Sequence, residues 1–483
     1  MDGELCREVV RLCVRVAGRQ GPGPLGEAAR GVRGRLGDGR LWVAVGGQIN
    51  AGKSTLVNAL LGRDVAPTGE TECTFVVARY MPSHQDRVVV TPRVGDPYEV
   101  LTGPRGGLPV RDGGLGRAPG EVAWVDVEFS GGEMPLACVL VDTPGLNSPN
   151  HDDDGSIAAL GDADAVLYVM PHPGEDDAKA FMEIRDGVDA SLAGRSGRIG
   201  VISQVDRLPK DPRKDPWTLA SQLAATYGER LRAEVSAVVP VVGLLAETAL
   251  GAEFTERDAE LVRLLARHDP GEVYEALYDD DEFRHWEDGP LEAGERSRLL
   301  GMLGIHGLCL CVEHVRNGAM GSYRLLAHLR ERSGVDRLVE TVRSSLGPRT
   351  DWLRAASALT RLTEAAWRDR NGEWLLDAVE ELRRLPVFAR GALREALWEV
   401  ESGRLRLDAG DVEALRLLVS RASPGEALGL PPGAGRADVA RAAGWETTRW
   451  RYVEQDPTRP PRLRRFAGTA RRLCEGYHPD MRR

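Results

Sequence analysis

The chain has 483 residues, 42% hydrophobic and 28% charged, with a formal charge of −10. That length exceeds one ordinary core and implies two or more domains, and the negative balance argues against a general nucleic-acid binder. The seven cysteines (Cys6, Cys13, Cys73, Cys138, Cys309, Cys311, Cys474) show no paired framework, which points to a reducing cytoplasm.

Leu5, Val9, Leu12 and Val16 recur at helical spacing between Arg7, Arg11 and Arg15, so residues 1–35 read as two amphipathic helices broken at Gly21–Pro24. The arginines also interrupt any apolar core of a signal sequence. Leu41–Val45 then reads as a buried strand and Thr55–Leu61 opens a helix. Between them, Gly47-Gln48-Ile49-Asn50-Ala51-Gly52-Lys53-Ser54-Thr55 has the spacing of a phosphate-binding loop in the required strand–loop–helix context. Backbone N–H groups of such a turn converge on a β-phosphate, and a side chain at Gly52 would push it away. Lys53 is placed to neutralise the β- and γ-phosphates and Ser54 to ligate Mg²⁺. Only four lysines occur in the chain (Lys53, Lys179, Lys210, Lys214), so one at this position is not a composition effect.

Further strands are expected at 74–81, 122–129, 136–141, 165–170, 199–203 and 238–242, separated by helical patterns. The alternation predicts an α/β phosphate-loop domain with a mostly parallel sheet, the loop following its first strand. The segment Ala66–Val77 offers Thr68, Thr71 and Thr74 for closing on Mg²⁺, with Thr74 favoured because it directly precedes a strand. Val139–Gly145 is a strand ending in D-x-x-G, which lets Asp142 hold Mg²⁺ through water while the Gly145 N–H meets the γ-phosphate. Ser203-Gln204-Val205-Asp206 ends another strand where a guanine reader would be N/T-K-x-D. Asp206 can accept from guanine N1–H and N2–H₂, whereas Gln204 lacks the cation that lysine lays over the base. GTP is therefore the expected nucleotide.

Beyond about residue 250 strand signals stop, and helical patterns cover 254–267, 325–346, 352–367, 374–385 and 392–401. Asp279–Glu282 reads as a solvated acidic tip. The longest nonpolar stretch, 299–312, is too short to span a bilayer, which predicts no transmembrane segment and peripheral contact at most. Residues 441–483 carry eleven arginines against five acids, with Trp445, Trp450, Tyr452 and Phe466 interleaved, and read either as an interface for anionic lipid or an acidic partner or as a trunk helix whose arginines pair internally.

The segments "GKSTLVNALLG", "VAPTGETECT", "VDTPG", "SQVD", "VVPVVGLLAETA", "LLGMLGIHG" and "HLRERSGVDRL" together resemble the bacterial dynamin-like GTPases, most of all the isoniazid-inducible dynamin-like proteins of actinobacteria. The resemblance implies a GTPase head at about 37–250, a helical neck and trunk at 251–483, and residues 1–36 packing with the C-terminal helices. It implies a GTP substrate, Mg²⁺, hydrolysis when two heads or a paralogue's head meet, and action at the inner face of the cell membrane. Working residues would be Lys53, Ser54, Thr74, Asp142, Gly145 and Asp206. Asn50 stands where K⁺-activated GTPases carry an asparagine beside the phosphates, which adds K⁺ as a candidate. Two rivals remain from the residues: an Era-like switch GTPase acting on RNA or ribosomes, and a low-turnover scaffold partnering a paralogous GTPase.

Overall fold

The structure is a computed structural model that describes residues 3–21, 23–67, 76–103, 107–109, 114–130, 138–145, 159–171, 197–211, 213–232 and 234–478. These fall into two compact units, one holding the sheet and running from Arg40 to Pro348, the other combining residues up to Gly39 with Arg349 onward.

Among the described residues of the sheet unit nine strands run β1 (Leu41–Gly47), β2 (Ala78–Pro82), β3 (Arg87–Pro92), β4 (Tyr98–Val100), β5 (Val122–Phe129), β6 (Cys138–Asp142), β7 (Ala165–Met170), β8 (Arg198–Ile202) and β9 (Ala237–Pro240). Their spatial order is β4-β3-β5-β2-β6-β1-β7-β8-β9. From β6 through β1, β7 and β8 to β9 every pairing is parallel. The residues of β6, β7 and β8 are buried throughout, as continuous apolar runs covered on both faces must be. β3 alternates exposed and buried positions and pairs antiparallel with β4 and β5. Neither β3 nor β4 is among the expected strands, although Val88 and Val90 lie on one buried face.

Helices between Glu256 and Ser333 pack on the β8–β9 end of this sheet: Phe283, Leu303, Leu308 and Leu325 share one apolar cluster with Ile202, Val205, Val242 and Leu245. The sheet unit thus continues about a hundred residues past the point where strand signals end. Its longest helix, Ala293–Arg316, has 24 residues, long and apolar enough by length and composition to cross a membrane, against the shorter stretch read from sequence. It is interrupted at Gly304, where φ is 59°, and 56% of its most apolar window is buried inside the unit. The pattern over 325–346 is also broken. Helices Ser322–Ser333 and Val335–Leu346 meet at Gly334 (φ 77°), where a Cβ would stand 2.8 Å from the Pro240 carbonyl and 2.6 Å from the Trp217 ring.

The second unit is helical. Asp351 caps the helix Glu4–Gln20 from far along the chain, accepting from the backbone N–H groups of Leu5 (3.0 Å) and Cys6 (3.1 Å). Arg354 donates to the carbonyl of Leu36 at 2.6 Å near the end of the second N-terminal helix. Those two helices therefore belong with the Thr350–Arg368 helix by fixed polar contacts as well as apolar packing. Deeper in, Arg349 pairs with Glu395 at 2.9 Å with both side chains buried, and its guanidinium lies 3.7 Å from the Trp398 ring centre.

Candidate functional site

The phosphate loop follows β1 at the carboxyl end of the parallel strands. Gly47 has φ 144°, and a Cβ there would meet the Val169 carbonyl at 2.2 Å, so β7 forces glycine at the start of the loop. Asn50 is left-handed at φ 58°, a conformation asparagine tolerates better than most side chains. Gly52 is left-handed too, at φ 83°, and a Cβ there would meet no atom within 4 Å. That open side is the space a phosphate needs at the N-terminus of the Lys53–Leu61 helix. The loop closes on itself where the Ala51 N–H donates to the Gln48 carbonyl at 3.3 Å, and Lys53 Nζ donates to the same oxygen at 2.8 Å.

Two of the expected switch residues meet at the end of β6. Ser54 Oγ donates to Asp142 Oδ2 at 2.9 Å, bringing together two of the three expected metal ligands, with Asp142 fully buried at the end of β6. Thr143 Oγ1 donates to the Val45 carbonyl at 3.0 Å and fixes the start of D-T-P-G against β1. Gly145 lies directly against the loop, since a Cβ on it would stand 2.9 Å from Ile49 Cα. Thr55 turns its methyl toward Gly243, in the helix Gly243–Leu250. Thr74, the third expected ligand, lies outside the described residues.

The segment expected to read the base is tied to the loop through two bonds. Ser203 Oγ donates to the Ala51 carbonyl at 2.7 Å, and Gln204 Nε2 donates to the Asn50 carbonyl at 2.8 Å with Gln204 itself left-handed at φ 51°. Asp206 follows in a short 3₁₀ turn, Val205–Arg207. Burial raises its carboxyl above the usual range, a shift opposed by the nearby Arg207 and His306 charges.

Sequence reasoning missed three neighbours. Tyr80 on β2 is fully buried, and burial first and the Asp142 charge second push its hydroxyl well above its ordinary range. Asn58 is also buried: its Oδ1 accepts from the N–H groups of Val65 (3.0 Å) and Ala66 (2.8 Å), and its Nδ2 faces Glu247 Oε1 at 2.7 Å, the Ala66 carbonyl at 3.0 Å and Asp64 Oδ1 at 3.1 Å. Glu247 is pushed up to about 7 by its burial, with the Asn58 hydrogen bond pulling the other way. The signal was an asparagine in an otherwise apolar helix, "STLVNALL", where an unpaired amide would be costly.

Part of the basic C-terminal segment pairs internally, the alternative to an interface. Arg449 pairs with Asp411 (2.8 Å), Arg459 with Asp408 (3.1 Å), Arg471 with Glu454 (2.6 Å) and Arg462 with Glu399, so four of its eleven arginines are held by carboxylates from other parts of the helical unit. Trp450 is buried as well, while Trp445 and Tyr452 are exposed.

A family model described as the Dynamin family matches residues 43–96. The isoniazid-induced protein IniC of Mycobacterium tuberculosis is 31% identical over 461 residues, covering 90% of this chain and 89% of that one. An uncharacterized protein in the xynA 3′ region of a Caldicellulosiruptor species is 28% identical over 152 residues, 31% of this chain and 38% of its own. Among solved structures, a member of an oligomerised bacterial dynamin pair, described as sensing and tethering membranes, aligns with 99% of this chain and 75% of its own at 11% identity and TM-score 0.33. Toc33 from Arabidopsis thaliana aligns with 47% of this chain and 82% of its own at 17% identity and TM-score 0.25. Near-complete alignment with IniC, over a chain whose phosphate loop and D-T-P-G turn meet at Ile49 and Gly145, means that this protein belongs to the bacterial dynamin-like GTPases.

Proposed function

We propose that the protein binds GTP with Mg²⁺ and hydrolyses it through association of two heads, its own or a paralogue's, acting peripherally on membrane from the cytoplasmic side. The observation that carries the nucleotide half is the 2.9 Å bond between Ser54 and Asp142, two residues on from the open side of Gly52. Hydroxyl and carboxylate oxygens are the hard donors that Mg²⁺ takes alongside phosphates and water. When bound, Mg²⁺ neutralises charge on the β- and γ-phosphates. Lys53 brings a second positive charge, exchanging the Gln48 carbonyl for phosphate oxygen. The Gly145 N–H, held against the loop, senses the γ-phosphate, and Asp206 accepts from the guanine edge. Asn50 presents its amide from an exposed left-handed position, which suits a K⁺ beside the phosphates. The membrane half rests on family membership.

Calorimetric titration with GDP and with ADP, each with and without Mg²⁺, tests the nucleotide half. We expect GDP to bind at least tenfold more tightly than ADP, and Ser54→Ala to abolish the Mg²⁺ enhancement. Equal affinity for GDP and ADP would refute the guanine assignment. Co-sedimentation with vesicles of phosphatidylglycerol and phosphatidylcholine, with and without GTP, tests the membrane half: GTP-dependent pelleting is expected, and protein left wholly in the supernatant would reject it.

A further inference from the structure

The helical unit contains a cleft of about 700 Å³ between the helices Glu373–Arg383, Pro386–Glu401 and Pro461–Tyr477. Its buried lining is apolar, formed by Phe388, Ala389, Leu473 and the ring of Tyr477. Tyr477 is held by Arg390, which donates to its hydroxyl at 3.0 Å. The outer lining is cationic: Arg383, Arg384 and Arg472 against the single carboxylate of Glu380. Glu380 is taken by Arg383 at 2.7 Å. Arg472 donates only to the neutral Thr469 hydroxyl, at 3.2 Å, and among the described residues neither Arg472 nor Arg384 has a carboxylate partner. The contrast with Arg449, Arg459, Arg462 and Arg471, all ion-paired, sets these two guanidinium groups apart.

We propose that this cleft binds a single-chain anionic lipid, its acyl chain along Phe388, Ala389 and Leu473 and its phosphate or carboxylate head at Arg384 and Arg472. The volume lies within the range of ligand pockets, about 300–1,000 Å³, and an apolar interior with a few charged groups at the mouth is their usual make-up. Guanidinium groups recognise phosphate and carboxylate by paired N–H donors, which supplies the choice of head group. Because the apolar lining is recessed, a monomeric chain can reach it, whereas a bilayer surface would meet only the arginines. The site is separate from the nucleotide site and independent of the function proposed above.

The test is calorimetric titration of the full chain with oleoyl lysophosphatidic acid below its critical micelle concentration. Oleoyl lysophosphatidylcholine and inorganic phosphate serve as comparisons. Saturable one-to-one binding of the anionic lipid is expected, at least tenfold tighter than the zwitterionic one and with no measurable binding of phosphate. Shortening the chain by two methylenes should weaken binding by roughly tenfold. The double substitution Arg384→Gln/Arg472→Gln, at exposed positions, should weaken it at least tenfold with the thermal midpoint and GDP affinity unchanged. Ala392→Trp, filling the cleft, should block the lipid while leaving GDP binding intact. Equal affinity for both head groups, phosphate binding as tight as the lipid, indifference to chain length, or binding seen only above the micelle concentration would each overturn the proposal.

Discussion

Gln204 sits where a lysine would serve two purposes, buttressing the phosphate loop and laying a cation over the base. The amide keeps the first, through its 2.8 Å bond to the Asn50 carbonyl, and cannot supply the second. Gln204→Lys should therefore strengthen GDP binding several-fold, while Gln204→Ala should weaken it by releasing Asn50. Unchanged affinity in both variants, measured by calorimetry, would show that the position does not touch the nucleotide. Asp206 adds a pH dependence with a defined sign. It must be ionised to accept from the guanine N1–H, and burial raises its pKa, so GDP affinity should fall on acidification at a higher pH than an ordinary aspartate would allow. Asp206→Asn should bind GDP weakly at every pH. The placement of Gln204 and Asp206 just after a strand was legible in the sequence, because the apolar run of β8 marks where the turn begins. The bond from Gln204 to Asn50 was not, since it joins loops 154 residues apart.

At the scale of elements, Asn58 links the phosphate-loop helix, the Asp64–Ala66 segment and the helix Gly243–Leu250 through one side chain. Removing it in Asn58→Ala strands the N–H groups of Val65 and Ala66 inside the unit and should cost about 3 kcal/mol. Glu247 makes this junction pH-sensitive. Its folded pKa, raised from 4.5 to about 7, means that the fold favours the protonated acid. The contribution to stability is full below pH 4.5, declines as pH rises to about 7 and is flat above, amounting to roughly 3 kcal/mol at 1.4 kcal/mol per unit. Glu247→Gln carries no such charge, so its thermal midpoint should exceed that of the parent protein by a margin that grows between about pH 5 and about pH 7.5. A margin constant across that range would contradict the assignment. Long buried strands such as β6 and β7 announced themselves as apolar runs. β4, with three residues and none buried, left no such mark, and the corner at Gly334 is dictated by Trp217 and Pro240, which no local pattern contains.

For the whole molecule, the proposed hydrolysis calls for a positive charge beyond Lys53 and Mg²⁺. The residue after Gly145 is Leu146, where Ras-type GTPases place the glutamine that orients water. Two sources fit this chain, a monovalent cation held beside Asn50 and a group contributed when a second head docks, and they make separable demands. A cation acts within one head, so its effect persists at the lowest protein concentration. A docked head acts only through association, so turnover per molecule climbs with concentration. GTP hydrolysis should therefore be measured across a thousandfold concentration range in K⁺, Na⁺ and a large organic cation at matched ionic strength. Asn50→Gly is the suitable variant, because it keeps the left-handed backbone at φ 58° that alanine would strain by about 1–2 kcal/mol. We expect turnover to rise with concentration in every salt, to be higher in K⁺ throughout, and to lose the K⁺ increment in Asn50→Gly with GDP affinity retained. Rates flat with concentration would remove head-to-head activation, and rates equal in all three salts would remove the cation.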